Sequence, residues 1–286
     1  MSAIPDIRSR GGGFAGSFTA PALSRLRETS RRTSSALVSL AGAAVILGSV
    51  WALAAAMQQD LPGPIATMET FWRLVSNPLY DNGPNDKGVG LQLIASLKRV
   101  AMGFALGSAI GIPLGLLLGV SGLFRRFMDP VVQVLRPVSP LAWFPIGLVV
   151  LQSAPQAAVF VVCICSLWPT VINTAFGVSG IPESQKNVAR VFQFDRWKYF
   201  TRIVLPHSLP HIITGLRLSM GTAWLVIVAA EMLSGGTGIG SYVWESWNAL
   251  NLEQVLSAIL LIGFVGLVID RLFASLSERC AYPEVD

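Results

Sequence analysis

From Pro137 to Pro182 the chain runs for 46 residues without one Asp, Glu, Lys or Arg. A soluble domain carries about one charged residue in four, and a membrane-spanning helix needs about 20 apolar residues. A run of this length therefore belongs inside a bilayer and is long enough to cross it twice. The rest of the chain agrees: 13% of its residues are charged, 52% are hydrophobic, and the mean hydropathy is +0.59. Gln152-Ser153-Ala154-Pro155-Gln156 is the polar interruption of the run and predicts a tight hairpin. Pro137, Pro140 and Pro145 break its first arm and Pro169 its second. Broken helices at membrane depth are tolerated where the freed backbone faces protein or a wet cavity, so they point towards a substrate path.

Four further spans are expected. Ala36–Met57 is a charge-free stretch of 22 residues, longer than the hydrophobic region of a signal peptide, and is read as a first span that is retained. The others are Ile94–Val120, Ile212–Ala230 and Leu252–Ile269, which makes six. The fold class is all-α: a polytopic membrane protein of about six transmembrane helices. Gly103, Gly107, Gly111, Gly115 and Gly119 recur every fourth residue in the second span. Such a stripe lets a neighbouring helix approach backbone to backbone.

Outside the spans the chain is organised simply. Residues 1–35 hold six arginines, a Gly11-Gly12-Gly13 run and many Ser and Thr, and read as a disordered basic arm. The membrane-spanning body covers residues 36–275, and residues 276–286 are a short tail. Met68–Val75 predicts an amphipathic helix at the membrane interface with Phe71 and Trp72 as anchors, followed by a turn-rich excursion from Asp81 to Gly88. With the N-terminus inside, 16 Lys and Arg fall on the inner loops and 4 on the outer ones. That asymmetry puts both termini in the cytoplasm. It also explains the net charge of +5 through topology, without a nucleic-acid partner.

Chemistry of the enzymatic kind is missing. Gly235-Gly236-Thr237-Gly238-Ile239-Gly240 is glycine-rich, but no Lys follows and no G-x-x-x-x-G-K-[ST] phosphate loop occurs in the chain. It reads as a flexible outer loop between the last two spans. His207 and His211 are the two histidines, and no metal-ligand spacing or nucleophile–base pair is evident. Any ATP must be hydrolysed by another polypeptide. A stand-alone secondary transporter should show inverted repeats and intramembrane acids, and neither is apparent.

One inner loop carries a specific pattern. Val188, Val191 and Phe192 recur at i, i+3 and i+4, predicting a short helix with one apolar and one basic face. A second short helix is expected around Trp197–Ile203, ending before Leu205-Pro206. Rest on anionic headgroups is one use for such a segment. The stretch also resembles the cytoplasmic loop of bacterial ABC importer permeases, written EAA, three residues, G, nine residues, I-x-L-P. Asn187-Val188-Ala189 falls at EAA, Gln193 at the glycine, and Ile203-Val204-Leu205-Pro206 at the end. Leu209-Pro210 with Gly215-Leu216-Arg217 looks like the start of that family's fifth span, and Leu135–Trp143 and Ile112–Gly115 look like its nitrate, sulfonate, taurine and bicarbonate branch. The insertion Tyr80–Gly88 looks like that of its cyanobacterial nitrate and bicarbonate members.

The resemblance implies a type I ABC importer permease fold in the inner (plasma) membrane. It implies a second permease copy, two ATP-binding subunits that hold ATP and magnesium, and a substrate-binding protein. No cofactor is implied in this chain itself. It further implies that residues 180–206 couple to the ATPase through Asn187, Val188, Ala189, Arg190, Val191, Phe192, Gln193, Leu205 and Pro206. Two of these depart from the pattern: Asn187 replaces an acid, and Gln193 replaces a glycine that would turn freely at positive φ. Nitrate or nitrite is the first cargo implied, bicarbonate, sulfonate or cyanate the alternatives. For the anion path the residues suggest Arg217, inside the fifth span, and Arg136, nearer the interface, since charge at that depth is functional by default. Snorkelling to the headgroups is the alternative for both. Glu231 is expected to pair with a loop or the binding protein.

Overall fold

The glycine stripe sets the geometry of the bundle. A computed structural model of the chain describes residues 62–83 and 86–280 and scattered positions between 42 and 57. The arm 1–35, most of the expected first span and the end of the tail lie outside the described residues. Among the described residues before Ile65, Trp51 Nε1 donates to the Pro62 carbonyl at 3.1 Å. Everything below belongs to one compact unit, Ile65–Asp286. Its helices are α1 (Pro64–Ser76), α2 (Val89–Val120), α3 (Gly122–Leu135), α4 (Phe144–Leu151), α5 (Ala154–Ser179), α6 (Glu183–Val191), α7 (Arg196–Tyr199), α8 (Leu205–Ser234), α9 (Ile239–Asn248) and α10 (Leu252–Cys280).

On α2 the five glycines lie against Val162, Ser166, Thr170, Thr174 and Val178 of α5 in turn. A Cβ added at Gly103, Gly111 or Gly115 would stand 2.6, 3.1 and 2.6 Å from Val162, Thr170 and Thr174. The absence of side chains is what permits this approach, as the stripe predicts. Because both sets of numbers rise together, α2 and α5 run parallel. The chain between them must then cross back. It does so through α3, a 3-10 turn at Pro140–Trp143, and α4, with a 94° bend at the break. The predicted first arm of the hairpin is thus half of one bent crossing. Its eight-residue α4 is too short to span alone, and the crossing begins at Gly122 instead of Pro137. Gln152, in the left-handed region at φ 50°, makes the expected turn into α5.

The remaining helices alternate in direction. α8 packs antiparallel on α5, His211 meeting Phe176 and Ser219 bonding the Ser166 carbonyl at 2.7 Å. α10 packs antiparallel on α8, with Trp224 Nε1 donating to the Ile262 carbonyl at 3.1 Å. Among the described residues four helices are long and apolar enough to cross a membrane, or five counting the bent pair. The core is built from small side chains, including Ala157, Ala158, Val161, Ala223 and Ala230, each fully or almost fully buried. Without a strong hydrophobic drive between helices in lipid, close packing of small residues is what holds them together. The helix expected over Met68–Val75 is present as part of α1. Trp72 is exposed as an anchor should be, while Thr70 Oγ1 donates to Glu253 Oε2 at 2.9 Å and Ser257 Oγ to the Thr67 carbonyl at 3.0 Å, tying α1 to the start of α10.

Candidate functional site

The segment from Pro182 to Pro206 protrudes from the bundle, but it is rooted firmly. Ile181, Ala189, Ile203 and Val204 are buried with Val178 from the end of α5, and Leu116, Phe194, Tyr199 and Phe200 pack around them. One face of α6 is therefore anchored through Ala189. The face predicted to be apolar, Val188, Val191 and Phe192, points outward at 49, 78 and 69% exposure. Trp197 beyond it is also exposed. Charged residues ring these side chains. Lys186 Nζ donates to Glu183 Oε1 at 2.9 Å and Arg190 to Asn187 Oδ1 at 3.1 Å. The Lys186 hydrogen bond and charge, aided by Arg190, hold the Glu183 carboxyl below its ordinary range.

Gln193 does what the family's glycine would do. It sits at φ 48°. Its N–H bonds the Arg190 carbonyl at 3.1 Å, and the Phe194 N–H bonds the Ala189 carbonyl at 2.9 Å. That pair of reversed bonds is a Schellman cap, which satisfies the last carbonyls of α6 and requires a left-handed residue at this position. The departure at 193 thus leaves the turn intact at some cost in strain. Asp195 then caps α7, accepting from the Lys198 N–H at 2.9 Å.

The second short helix does not end before Leu205-Pro206. α7 passes through a π-helical turn at Phe200–Val204 and runs without a break into α8. Pro206 has no N–H to give to the preceding turn, and the wider turn, with the Leu205 N–H reaching the Phe200 carbonyl, absorbs the defect. Arg196–Ser234 is in consequence one continuous 39-residue rod. Beside it a cleft of about 750 Å³ opens between α6 and α8, lined by Val188, Arg202, His207 and His211 among others.

The two arginines named from the sequence lie on neighbouring cavities. Arg136, at the C-terminal end of α3, lines a cavity of about 370 Å³ with Trp168 and Asn173 of α5 and Leu218 and Thr222 of α8. Arg217 lines one of about 530 Å³ on the other side, and Leu218 and Thr222 border both. Arg217 is held in a two-pronged pair with Asp270 of α10, at 2.8 and 2.9 Å. Sequence reading missed Asp270. An arginine inside a span demands a counter-charge, and a search of the facing spans for an acid would have found it.

At the far end of the bundle the glycine-rich loop is not the flexible loop expected. Glu231, 1% exposed, pairs with Arg99 of α2 at 2.6 Å and accepts from Ser96 Oγ at 2.7 Å and the Gly240 N–H at 3.1 Å. Gln92 Oε1 accepts from the Gly238 N–H at 2.6 Å, and Ser96 Oγ from the Ile239 N–H at 2.9 Å. The start of α9 is thus a cradle for a carboxylate of the protein's own. A Cβ at Gly238 would stand on the Glu231 carboxyl, and one at Gly240 on the Val228 carbonyl. Arg99 is one of the four Lys and Arg that the sequence places on the outer side. It lies within α2 and is paired inside the bundle.

The fold is a bundle of membrane-length helices alternating in direction, with a helical protrusion rooted in one end of it. The chain belongs to the family of inner membrane components of binding-protein-dependent transport systems, whose model matches residues 111–282. It is an ABC permease, and ATP hydrolysis resides in its partner subunits. It is 43% identical to the nitrate import permease protein NrtB of Synechocystis sp. over 82% of this chain and 86% of that one. It is 42% identical to the bicarbonate transport system permease protein CmpB of Synechococcus elongatus, over 76% and 80% respectively. A crystal structure of a bacterial ABC transporter involved in the import of the acidic polysaccharide alginate shares the fold, with a TM-score of 0.61 at 16% identity, covering 90% of this chain and all of that one.

Proposed function

We propose that this chain is the permease of a nitrate (or nitrite) importer of the inner membrane. In this reading two copies enclose the path, two ATPase subunits grip residues 180–206 from the cytoplasm, and a binding protein delivers the anion from outside. The observation that carries the docking role is the exposed row Val188, Val191 and Phe192 on an otherwise polar helix that is rooted through buried Ala189. An apolar patch rimmed by charge on a rooted element fits a protein partner. The continuity of Arg196–Ser234 supplies the lever: closure of the ATPase pair moves α6 and α7 and with them α8, which walls both arginine cavities. Access then alternates by rigid-body motion. The anion path runs along α8 between Arg136 and Arg217.

Nitrate is favoured over bicarbonate by the identity and coverage of the nitrate permeases among the relatives. Bicarbonate is the second reading, since its permeases match nearly as well. Side-by-side uptake of labelled nitrate and bicarbonate by the complex reconstituted in vesicles decides between them. Nitrate uptake that depends on ATP is expected; uptake of bicarbonate alone overturns the assignment.

A further inference from the structure

Resting on the importer reading above, the structure assigns the cavity at Arg136 as a binding site for a planar, singly charged oxyanion halfway across the membrane. Its position comes first. Residues 122–151 connect parallel α2 and α5 as two helical arms bent by 94°, and Arg136 stands at the end of the first arm, at the break. The cavity's other walls come from the middle of their helices: Cys165 and Trp168 in α5, which runs from Ala154 to Ser179, and Leu218 and Thr222 in α8, which runs from Leu205 to Ser234. The prolines that open the backbone, Pro140 and Pro169, both line it. A charge at that depth is costly and marks a substrate path.

The lining is selective in chemistry. Arg136 is its single charged side chain, and no carboxylate borders the cavity among the described residues. Arg99 and Arg217 are each answered by an acid, Glu231 and Asp270. Those two arginines brace helices, whereas Arg136 offers its charge to the cavity. Its planar fork of N–H groups matches two oxygens in one plane. Arg217 shows that geometry on the Asp270 carboxylate, and nitrate and bicarbonate present the same planar pair of oxygens. Asn173 commits one N–H to the Pro169 carbonyl at 2.8 Å and retains a second, and the indole N–H of Trp168 is a further donor. A volume of about 370 Å³ holds such an anion with several waters, each water taking ~30 Å³. One cation and neutral donors suit a monovalent, partly hydrated ion that must leave again.

The test uses the whole complex with its ATPase and binding protein in vesicles. Arg136→Gln is expected to cut anion uptake at least tenfold and to raise the ATP hydrolysed per anion imported by a similar factor. Arg136→Lys, which keeps the charge but loses the fork, should fall between. Trp168→Phe, which keeps the ring and loses the N–H, should cost two- to fivefold. Uptake by Arg136→Gln within twofold of wild type overturns the site. Should that variant fail to assemble, Arg136→Lys and Trp168→Phe decide, and wild-type uptake and stoichiometry in both overturn it. The panel is run with nitrate and with bicarbonate. A wild-type complex that carries bicarbonate alone refutes the nitrate reading, while dependence on Arg136 is still read on bicarbonate.

Discussion

Gln193 shows how a single residue can depart from a pattern and still serve it. A left-handed backbone costs a non-glycine residue about 1 kcal/mol or more, yet the Schellman bonds to Arg190 and Ala189 hold Gln193 there. Gln193→Gly should relieve that strain and raise stability by about 1 kcal/mol, read as a higher thermal midpoint of the detergent-solubilised subunit. A lower midpoint would mean that the Gln193 side chain contributes a contact worth more than the strain. Glu231 belongs to the same scale. Its carboxylate is satisfied by Arg99, Ser96 and Gly240, and removing one partner of such a buried pair typically costs 3–5 kcal/mol. The glycines at 238 and 240 are needed because the carboxylate and the Val228 carbonyl occupy the space a Cβ would take.

At the scale of elements, the segment proposed to couple to the ATPase has two opposed requirements to meet. It must expose apolar side chains to a partner, and it must not move independently of the rod it drives. Burial of Ala189, Ile203 and Val204 meets the second, and outward-facing Val191 and Phe192 the first. Phe192→Asp should therefore leave the permease folded and abolish co-purification of the ATPase subunit. Retained assembly with normal uptake would remove the docking role from this face. Much of this element was legible beforehand, because the i, i+3, i+4 spacing of Val188, Val191 and Phe192 is a local property of the chain. The run-on into α8 was not, since Leu205-Pro206 reads as a stop unless a π-turn is known to absorb the missing N–H.

For the whole molecule, α5, α8 and α10 alternate in direction, which sets α6 at the end of the bundle opposite to the glycine-rich loop. In the proposed topology both termini are cytoplasmic and α6 faces the ATPase side. In a cysteine-free background, Lys186→Cys should react with a membrane-impermeant maleimide in inverted vesicles and not in right-side-out ones. Labelling of right-side-out vesicles alone would reverse the topology and with it the coupling scheme.

Hydropathy, the glycine period and the loop pattern determined by themselves that this chain is a helical membrane bundle with a short amphipathic helix between two of its spans, because each depends on residues close together in sequence. The pairing of Arg217 with Asp270, the carboxylate held by the glycine-rich loop and the place of Arg136 on a cavity between α5 and α8 were decided by tertiary structure alone. Each depends on which helix lies beside which and in what direction, and a charge's depth in a membrane follows from the path of the backbone, not from its distance along the chain to the nearest polar loop.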